Sequence, residues 1–435
     1  MTYDVRRMQA DETFAPDGAS EIRRPRWKRA LLFLWLGQII SHLGDSLYLI
    51  GIVWLVLEVT GSKSMTGGLV ALNFAPALIL GLFAGAFVDR HDRRRVMIAA
   101  DIVRCVAIGL IPVLLAYHRL SPAVLGILLA TLATGTTFFN PAMKALIPEI
   151  APSTRLALAV TVFQFSEQVA FVAGPLIGEP ATRLFGFGHL FTVDAVTFLF
   201  SALCLLALPR QGRKQSHVAA TAMVGASTLP PLTFGSLRRE ATDVLRTVYR
   251  QPMLRALLIL TALDNLVIMG PAYIATPLLV KETLNLGPDG YMNAMLYLFI
   301  GLMFGSVLVG TIGRRAPKGL LILAGIFLDG ASLLPLGFCR TLHQVEFVLF
   351  LHALAIPLII IPRTVLMQQA LPGRVHGRLF ALVNVTVFGM TGISAAITGL
   401  LIEHMAPTTL FIWVGVLGAV VGLCGFRFPH LRAAR

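Results

Sequence analysis

The side chains able to do chemistry in this chain are ionisable groups set inside long apolar runs. Gln38 is followed at offsets of three, four, seven and ten residues by Ser41, His42, Asp45 and Tyr48. At about 100° per residue, an α-helix carries all five on one face about 120° wide. Gln164, Glu167, Gln168, Gly174, Pro175 and Gly178 share a face in a second run, with Glu167 near mid-depth. A lone carboxylate in hydrocarbon costs at least about 2.5 kcal/mol, so such a group faces a wet cavity or finds a partner. Desolvation also brings a carboxylate's proton exchange toward physiological pH. Asp45 and Glu167 are therefore the leading proton-coupling candidates, with Gln38, His42, Gln164 and Gln168 expected beside them on a shared cavity. For both carboxylates the alternative is a hydrogen-bonded clamp between helices that never titrates. Asp264, next to Asn265, and His352 are the analogues later in the chain. Asp264 fits cavity lining and packing equally well, and His352 alone on an apolar helix reads first as a core histidine.

Other chemistries find no support in the residue pattern. No constellation of nucleophile, base and metal lies near a membrane surface, so an enzyme is disfavoured. Cys105, Cys204, Cys339 and Cys424 are far apart and apolar in context, which suggests neither a disulfide framework nor a metal site. The ten histidines show no HExxH or paired ligand spacing, and no GxxxxGK[ST] loop exists to power an ATP-driven pump. No cofactor is expected.

The elements that must position these groups follow from composition. Of 435 residues, 56% are hydrophobic and 13% charged, against about a quarter charged in a soluble domain. The apolar residues fall into blocks of about 20 or more, the length a helix needs to cross a hydrocarbon core of about 30 Å. Twelve spans are expected near 30–57, 66–88, 96–117, 121–142, 156–180, 189–208, 255–280, 291–312, 319–338, 343–366, 378–402 and 407–426. The formal charge of +14 raises the question of a nucleic-acid partner. Its distribution answers against one: with the N-terminus inside, twenty-nine of the 36 Lys and Arg fall on cytoplasmic segments and five on external loops. This asymmetry puts both termini in the cytoplasm of a multi-pass inner-membrane protein. Basic runs such as Arg23-Arg24-Pro25-Arg26 then anchor that face to anionic membrane lipid. About thirty polar residues precede a first run too long for a signal peptide, so that run is expected to stay in the membrane.

The spans divide into two blocks of six. A cytoplasmic tail (1–29) precedes an N-terminal bundle (30–208). A polar segment (209–254), flexible at first and then amphipathic from Ser236 to Arg250, leads to a C-terminal bundle (255–426) and a short tail (427–435). Pro148 to Ala157 and Pro372 to Ala381 both place Pro before, and Arg-Leu at, the start of the next span, at equivalent positions of the two halves. An all-α membrane fold of two pseudo-symmetric bundles follows, as in duplicated transporters. Gly301 and Gly305 form a GxxxG packing face.

The loop between the second and third spans reads Gly85-Ala86-Phe87-Val88-Asp89-Arg90-His91-Asp92-Arg93-Arg94-Arg95. It resembles the Gly-x-x-x-Asp-Arg-x-x-Arg-Arg signature of the major facilitator superfamily. Gly85 permits close helix approach, and a carboxylate at a helix end can meet the positive end of a neighbouring helix. The resemblance implies a latch that closes the cytoplasmic side when the cavity faces outward, carried by Gly85, Asp89, Arg90 and Arg94. Asp101 and Arg104, three apart, are expected to pair internally and brace it. The second-half counterpart, Gly310 to Arg315, lacks the Asp. Gly174-Pro175-Leu176-Ile177-Gly178 resembles the Gly-Pro-x-x-Gly core of the motif that the family's antiporters carry in span 5, with Ala170 and Glu179 in place of the flanking glycines. Small residues with a proline suit a gating helix. Gly37 to Asp45, Trp54 with Thr60-Gly61-Ser62, and Phe139-Asn140-Pro141-Ala142 look like the branch containing macrolide-efflux and enterobactin-exporter proteins.

The resemblance implies a monomeric secondary transporter that exchanges protons for a bulky amphipathic small molecule by alternating access. An importer or lipid transporter of the same fold, or a receptor or assembly factor that moves nothing, are the other readings.

Overall fold

Lipid offers a backbone no hydrogen-bond partner, so each apolar run must satisfy itself as a helix. In the computed structural model, which describes residues 26–208, 242, 245, 246, 248–312, 316–370 and 373–434, every expected span does so, and no strand occurs among the described residues. The first six helices are α1 (Arg26–Thr60), α2 (Lys63–Val88), α3 (Arg93–Ala116), α4 (Pro122–Ile150), α5 (Leu156–Phe185) and α6 (His189–Ala207). The second six are α7 (Pro252–Thr283), α8 (Pro288–Ile312), α9 (Lys318–Phe338, its last turn tightened), α10 (Leu342–Ala370), α11 (Gly373–Leu401) and α12 (Pro407–Gly425), followed by a single turn, α13 (Pro429–Arg432). The amphipathic stretch expected before α7 falls largely outside the described residues.

Local chemistry sets the helix starts. Ser62, Asp92 and Ser121 accept hydrogen bonds from the amides of Met65, Arg95 and Val124 at 3.3, 3.1 and 3.3 Å, capping α2, α3 and α4. Inside α4 the hydroxyls of Thr131, Thr134, Thr136 and Thr137 each donate to the carbonyl four residues back, which removes four polar groups from the apolar surroundings. α7 is less regular, with π-helical turns at Pro271–Ala275 and Leu279–Thr283. Pro271 and Pro277 cannot donate to the ladder, and wider turns absorb the defect.

Helix pairing repeats between the halves. In the first, α1 packs on α5 and α6, α2 on α4, and α3 on α4 and α6. In the second, α7 packs on α11 and α12, α8 on α10, and α9 on α10 and α12, the same set displaced by six. The halves meet through α2–α11 and α5–α8, which exchange under the same displacement. In the α8–α10 pair, a side chain at Gly301 would strike the Phe350 carbonyl and one at Gly305 the Leu354 carbonyl at 2.8 Å, so the GxxxG face serves close packing. The final segment, expected as a simple tail, docks. Leu431 is buried, and the Ala434 carbonyl accepts from the Gly319 amide at 3.0 Å.

Candidate functional site

Among the described residues, contacts between the halves gather at one end and in the middle of the molecule. At the tip that carries the α1–α2 link, Lys63 Nζ lies 2.7 Å from Glu282. Glu403 accepts from the Ser64 amide at 3.2 Å and the Ser62 hydroxyl at 3.3 Å. Hydrogen bonds from Ser64 and Ser62 hold the exposed Glu403 carboxyl below its usual range, so this contact keeps its charge at neutral pH. Asp289 accepts from Thr182 at 3.0 Å and Arg183 at 3.3 Å. One layer deeper, Trp54 stacks on Tyr291, Gly67 crosses Gly399 backbone to backbone, and Gly178 meets Met292. Phe74–Phe388 and Phe171–Phe299 close the middle at ring separations of 6.3 and 5.3 Å.

One apolar core joins both halves on this side, whereas at the α2–α3 end each half has a separate core of its own. Among the described residues the halves are therefore sealed together at the α1–α2 end and parted at the other. Lys63 and Glu282 are 29% and 39% exposed, and such pairs contribute at most about 1 kcal/mol. Lys63→Glu is expected to shift the sealed state by no more than about fivefold, with Glu282→Lys restoring it, as read by spin-label distances across this tip.

The N-terminal bundle carries a polar core. Small residues of α1 let it approach α6: Gly37 faces Ser201 and Cys204, and Gly44 faces Asp194 and Thr197. This turns the polar stripe of α1 toward α3, α5 and α6. Gln38 is buried and donates to Ser201 at 3.5 Å. Asp101 and Arg104 pair in the buried interior, and the guanidinium lies between the rings of Phe139 and Phe198, 4.1 and 4.2 Å away. Asp194 on α6 is fully buried and accepts from Thr197 at 3.3 Å. At the edge of this core His42 Nδ1 stands 3.5 Å from Asp45, the two side chains 16% and 31% exposed. Glu167 and Arg104 lie within electrostatic range of His42, and Asp194 and Asp101 within range of Asp45. Trp35 donates to Ser166 at 2.7 Å and Ser46 to the Phe171 carbonyl at 3.3 Å, which ties α5 to α1 beside Glu167.

The C-terminal bundle holds a second core. His352 Nδ1 lies 3.1 Å from the Asp329 carbonyl, 3.0 Å from the Ser332 hydroxyl and 3.4 Å from the Asp329 carboxylate. Asp264 is within electrostatic range of Asp329 and Arg363, and Arg363 donates to Thr261 at 3.3 Å. Both carboxylates are almost fully buried.

His42 and Asp45 thus come together, with Glu167 in electrostatic range and Gln168 half-buried on α5, while Gln164 is exposed a turn away. Two cavity expectations need correction. Gln38 points into the α1–α6 interface because glycines bring those helices too close for an intervening cavity, and Asp264 is buried, with Asp329 of α9 and Arg363 of α10 in electrostatic range. With this end parted, the loop residues stand in an open arrangement. Nothing lies within 4 Å of where a Gly85 side chain would start, since the halves are parted there. Asp89 and Arg90 are exposed. Arg94 donates to the Leu205 and Leu206 carbonyls at 2.7 and 2.8 Å and closes the end of α6 in its own half, while Arg93 pairs with Glu149 on α4. Gly174 and Gly178 admit Ser46 and Leu47 of α1, and Pro175 is buried between them. Sequence reasoning passed over Asp194 and Asp329 and gave Arg363 no role, although each is a charge inside an apolar run, the criterion that singled out Asp45.

Among the described residues no cluster of His, Cys, Asp and Glu could hold a metal ion. The Major Facilitator Superfamily model matches residues 34–396. Macrolide efflux protein A of Streptococcus pyogenes is 24% identical over 398 residues, 90% of this chain and 94% of that protein. The multidrug efflux pump Tap of Mycolicibacterium fortuitum is 23% identical over 413 residues, covering 92% and 96%. Among solved structures, the nucleoside transporter NupG superposes with a TM-score of 0.75 at 9% identity, over 92% of this chain and 99% of that one, a likeness of fold. With twelve membrane-crossing helices in two matched halves, this chain is a multi-pass membrane transporter and belongs to the major facilitator superfamily.

Proposed function

We propose that this protein is a monomeric exporter of the inner membrane that exchanges protons for bulky amphipathic small molecules. The excess of Lys and Arg on the α2–α3 side favours both termini in the cytoplasm, which makes the sealed tip external and the parted end cytoplasmic. Cargo enters from the cytoplasm between the bundles, and rocking of the halves about α2–α11 and α5–α8 presents it outside. The relatives that carry efflux names support the direction.

The observation that carries proton coupling is the partly exposed His42–Asp45 pair with Glu167 in range on α5, the helix that packs across the interface on α8. A proton arriving there from outside neutralises a carboxylate, weakens its hold on His42, and changes how α5 sits against α1. Release of that proton to the cytoplasm resets the site. The charge of the site, not its shape, thereby biases which end is open, as a coupling between two ligands requires. Asp264, in electrostatic range of Asp329 and Arg363, is the C-terminal counterpart.

Everted vesicles test the reading. The wild type is expected to release protons from the lumen when an amphipathic cargo is added, whereas Glu167→Gln abolishes pH-dependent transport and leaves the protein in the membrane. Unchanged coupling in Glu167→Gln would remove the assignment, and cargo leaving the lumen together with the protons would make the protein an importer.

A further inference from the structure

Away from both polar cores, α8 and α10 enclose a lateral groove of about 340 Å³. Its lining is Tyr297 and Ile300 from α8 with His343, Glu346, Phe347 and Phe350 from α10. No residue of the N-terminal half contributes, so the groove opens to the side of the C-terminal bundle. Its exposed aromatic rim is ordinary for lipid-facing helices, and one buried group sets it apart. Phe347 and Tyr297 leave 61% and 41% of their surface uncovered. Glu346, between them, is only 6% exposed, a carboxylate enclosed by aromatic and aliphatic walls. Its partner is His343 Nδ1 at 2.9 Å, whose own side chain is 92% exposed at the mouth. A neutral imidazole can donate this bond and leave the carboxylate's charge uncompensated.

An ionised carboxylate buried among aromatic side chains has one natural complement. A compact organic cation satisfies the carboxylate directly, and its positive charge is attracted to the ring faces. Walls that are otherwise apolar add a requirement for a hydrophobic body, and the volume is in the range of small-ligand sites. Depth agrees with this. α10 begins at Leu342, so Glu346 stands one turn, about 6 Å, inside the helix start, at the level where amphiphiles place their heads. We infer that this groove is a binding site for lipophilic ammonium compounds dissolved in the membrane leaflet on the α1–α2 side, with Glu346 as the cation-binding group and Tyr297, Phe347 and Phe350 as the aromatic wall. That this is the outer leaflet rests on the topology given under Proposed function. In that setting the groove takes up or releases cationic cargo at the outer leaflet, and the binding chemistry itself is independent of transport.

The test is photolabelling of the purified full chain in a neutral maltoside detergent with an alkyltrimethylammonium probe bearing a benzophenone, mapped by peptide mass spectrometry. Saturable labelling of the α8 and α10 peptides is expected, competed by the unlabelled ammonium compound and not by its uncharged tert-butyl isostere. Glu346→Gln should lower labelling roughly tenfold or more, the scale of a lost charge-assisted contact, while Glu346→Asp keeps part of it. Phe347→Ala alters an exposed side chain, so it folds and should still weaken labelling severalfold. Glu167→Gln, which removes the proposed proton site, should label like the wild type, so failure of coupling and failure of this site are read separately. Undiminished labelling in Glu346→Gln, or equal competition by the neutral isostere, overturns the proposal. Loss of labelling in nanodiscs when phosphatidylethanolamine replaces phosphatidylcholine also overturns it, by making a lipid amine the occupant.

Discussion

Arg104→Ala is expected to destabilise the protein by about 3–5 kcal/mol, the cost of breaking a buried charge pair, and to show as a large drop in thermal unfolding midpoint in detergent. Arg104 is 2% exposed and its partner Asp101 is completely enclosed. The same guanidinium is the cation within range of Asp194, also completely enclosed. Truncation therefore strands two carboxylates at bilayer depth without a counter-charge. It also removes contacts to Phe139 and Phe198 and leaves a void over Gly135, whose missing side chain makes room for the arginine stem. The paired change Asp101→Leu with Arg104→Met should cost less than Arg104→Ala, because it strands Asp194 alone rather than two carboxylates and keeps the volume. If Arg104→Ala unfolds at the wild-type temperature, the ion pair is not what holds α3 against α4 and α6.

Gly399→Val is expected to abolish export while leaving the protein folded. A first side-chain carbon at Gly399 would stand 2.7 Å from the Gly67 Cα and 3.0 Å from the Lys63 carbonyl, so α2 and α11 could not close without moving backbone. When the sealed tip opens, that side chain has space, and the substitution disfavours one state only. A shift of even two kcal/mol empties the sealed state about thirtyfold, and a carrier held in one state moves no cargo. Spin labels on the α1–α2 and α11–α12 links should report longer distances in Gly399→Val. Gly68→Val, on the exposed side of α2 with nothing nearby, should leave the same distance unchanged. An unaltered distance in Gly399→Val with normal export would show that the crossing is not a gate.

The twelve helices were legible before any coordinates because membrane insertion is a local constraint. Each run of about 20 apolar residues must close its own hydrogen bonds whatever its neighbours do. The breaks in α7 were visible only as Gly270-Pro271 and Thr276-Pro277. Whether those prolines would kink the helix or be absorbed as π turns depended on α11, where the Ser394 hydroxyl accepts from the Gly270 amide at 2.8 Å. The site was legible in part. Periodicity gathered His42 and Asp45 on one face, and depth singled out Glu167. It gave no direction to that face, and so placed Gln38 on a cavity when it lies against α6. It also undervalued Asp194 and Asp329, whose weight comes from groups on other helices.

The amino-acid order by itself determined the membrane class, the count of crossings, the internal duplication and the family, since these depend on hydropathy and short motifs within single segments. Which polar side chains share an interior, which end of the molecule is shut, and that the Arg93 and Arg94 side chains hold their own half were decided by tertiary packing. A helix fixes the angle between its side chains but not its rotation against its neighbours. That rotation is set by where small residues such as Gly44, Gly67 and Gly399 allow two backbones to touch.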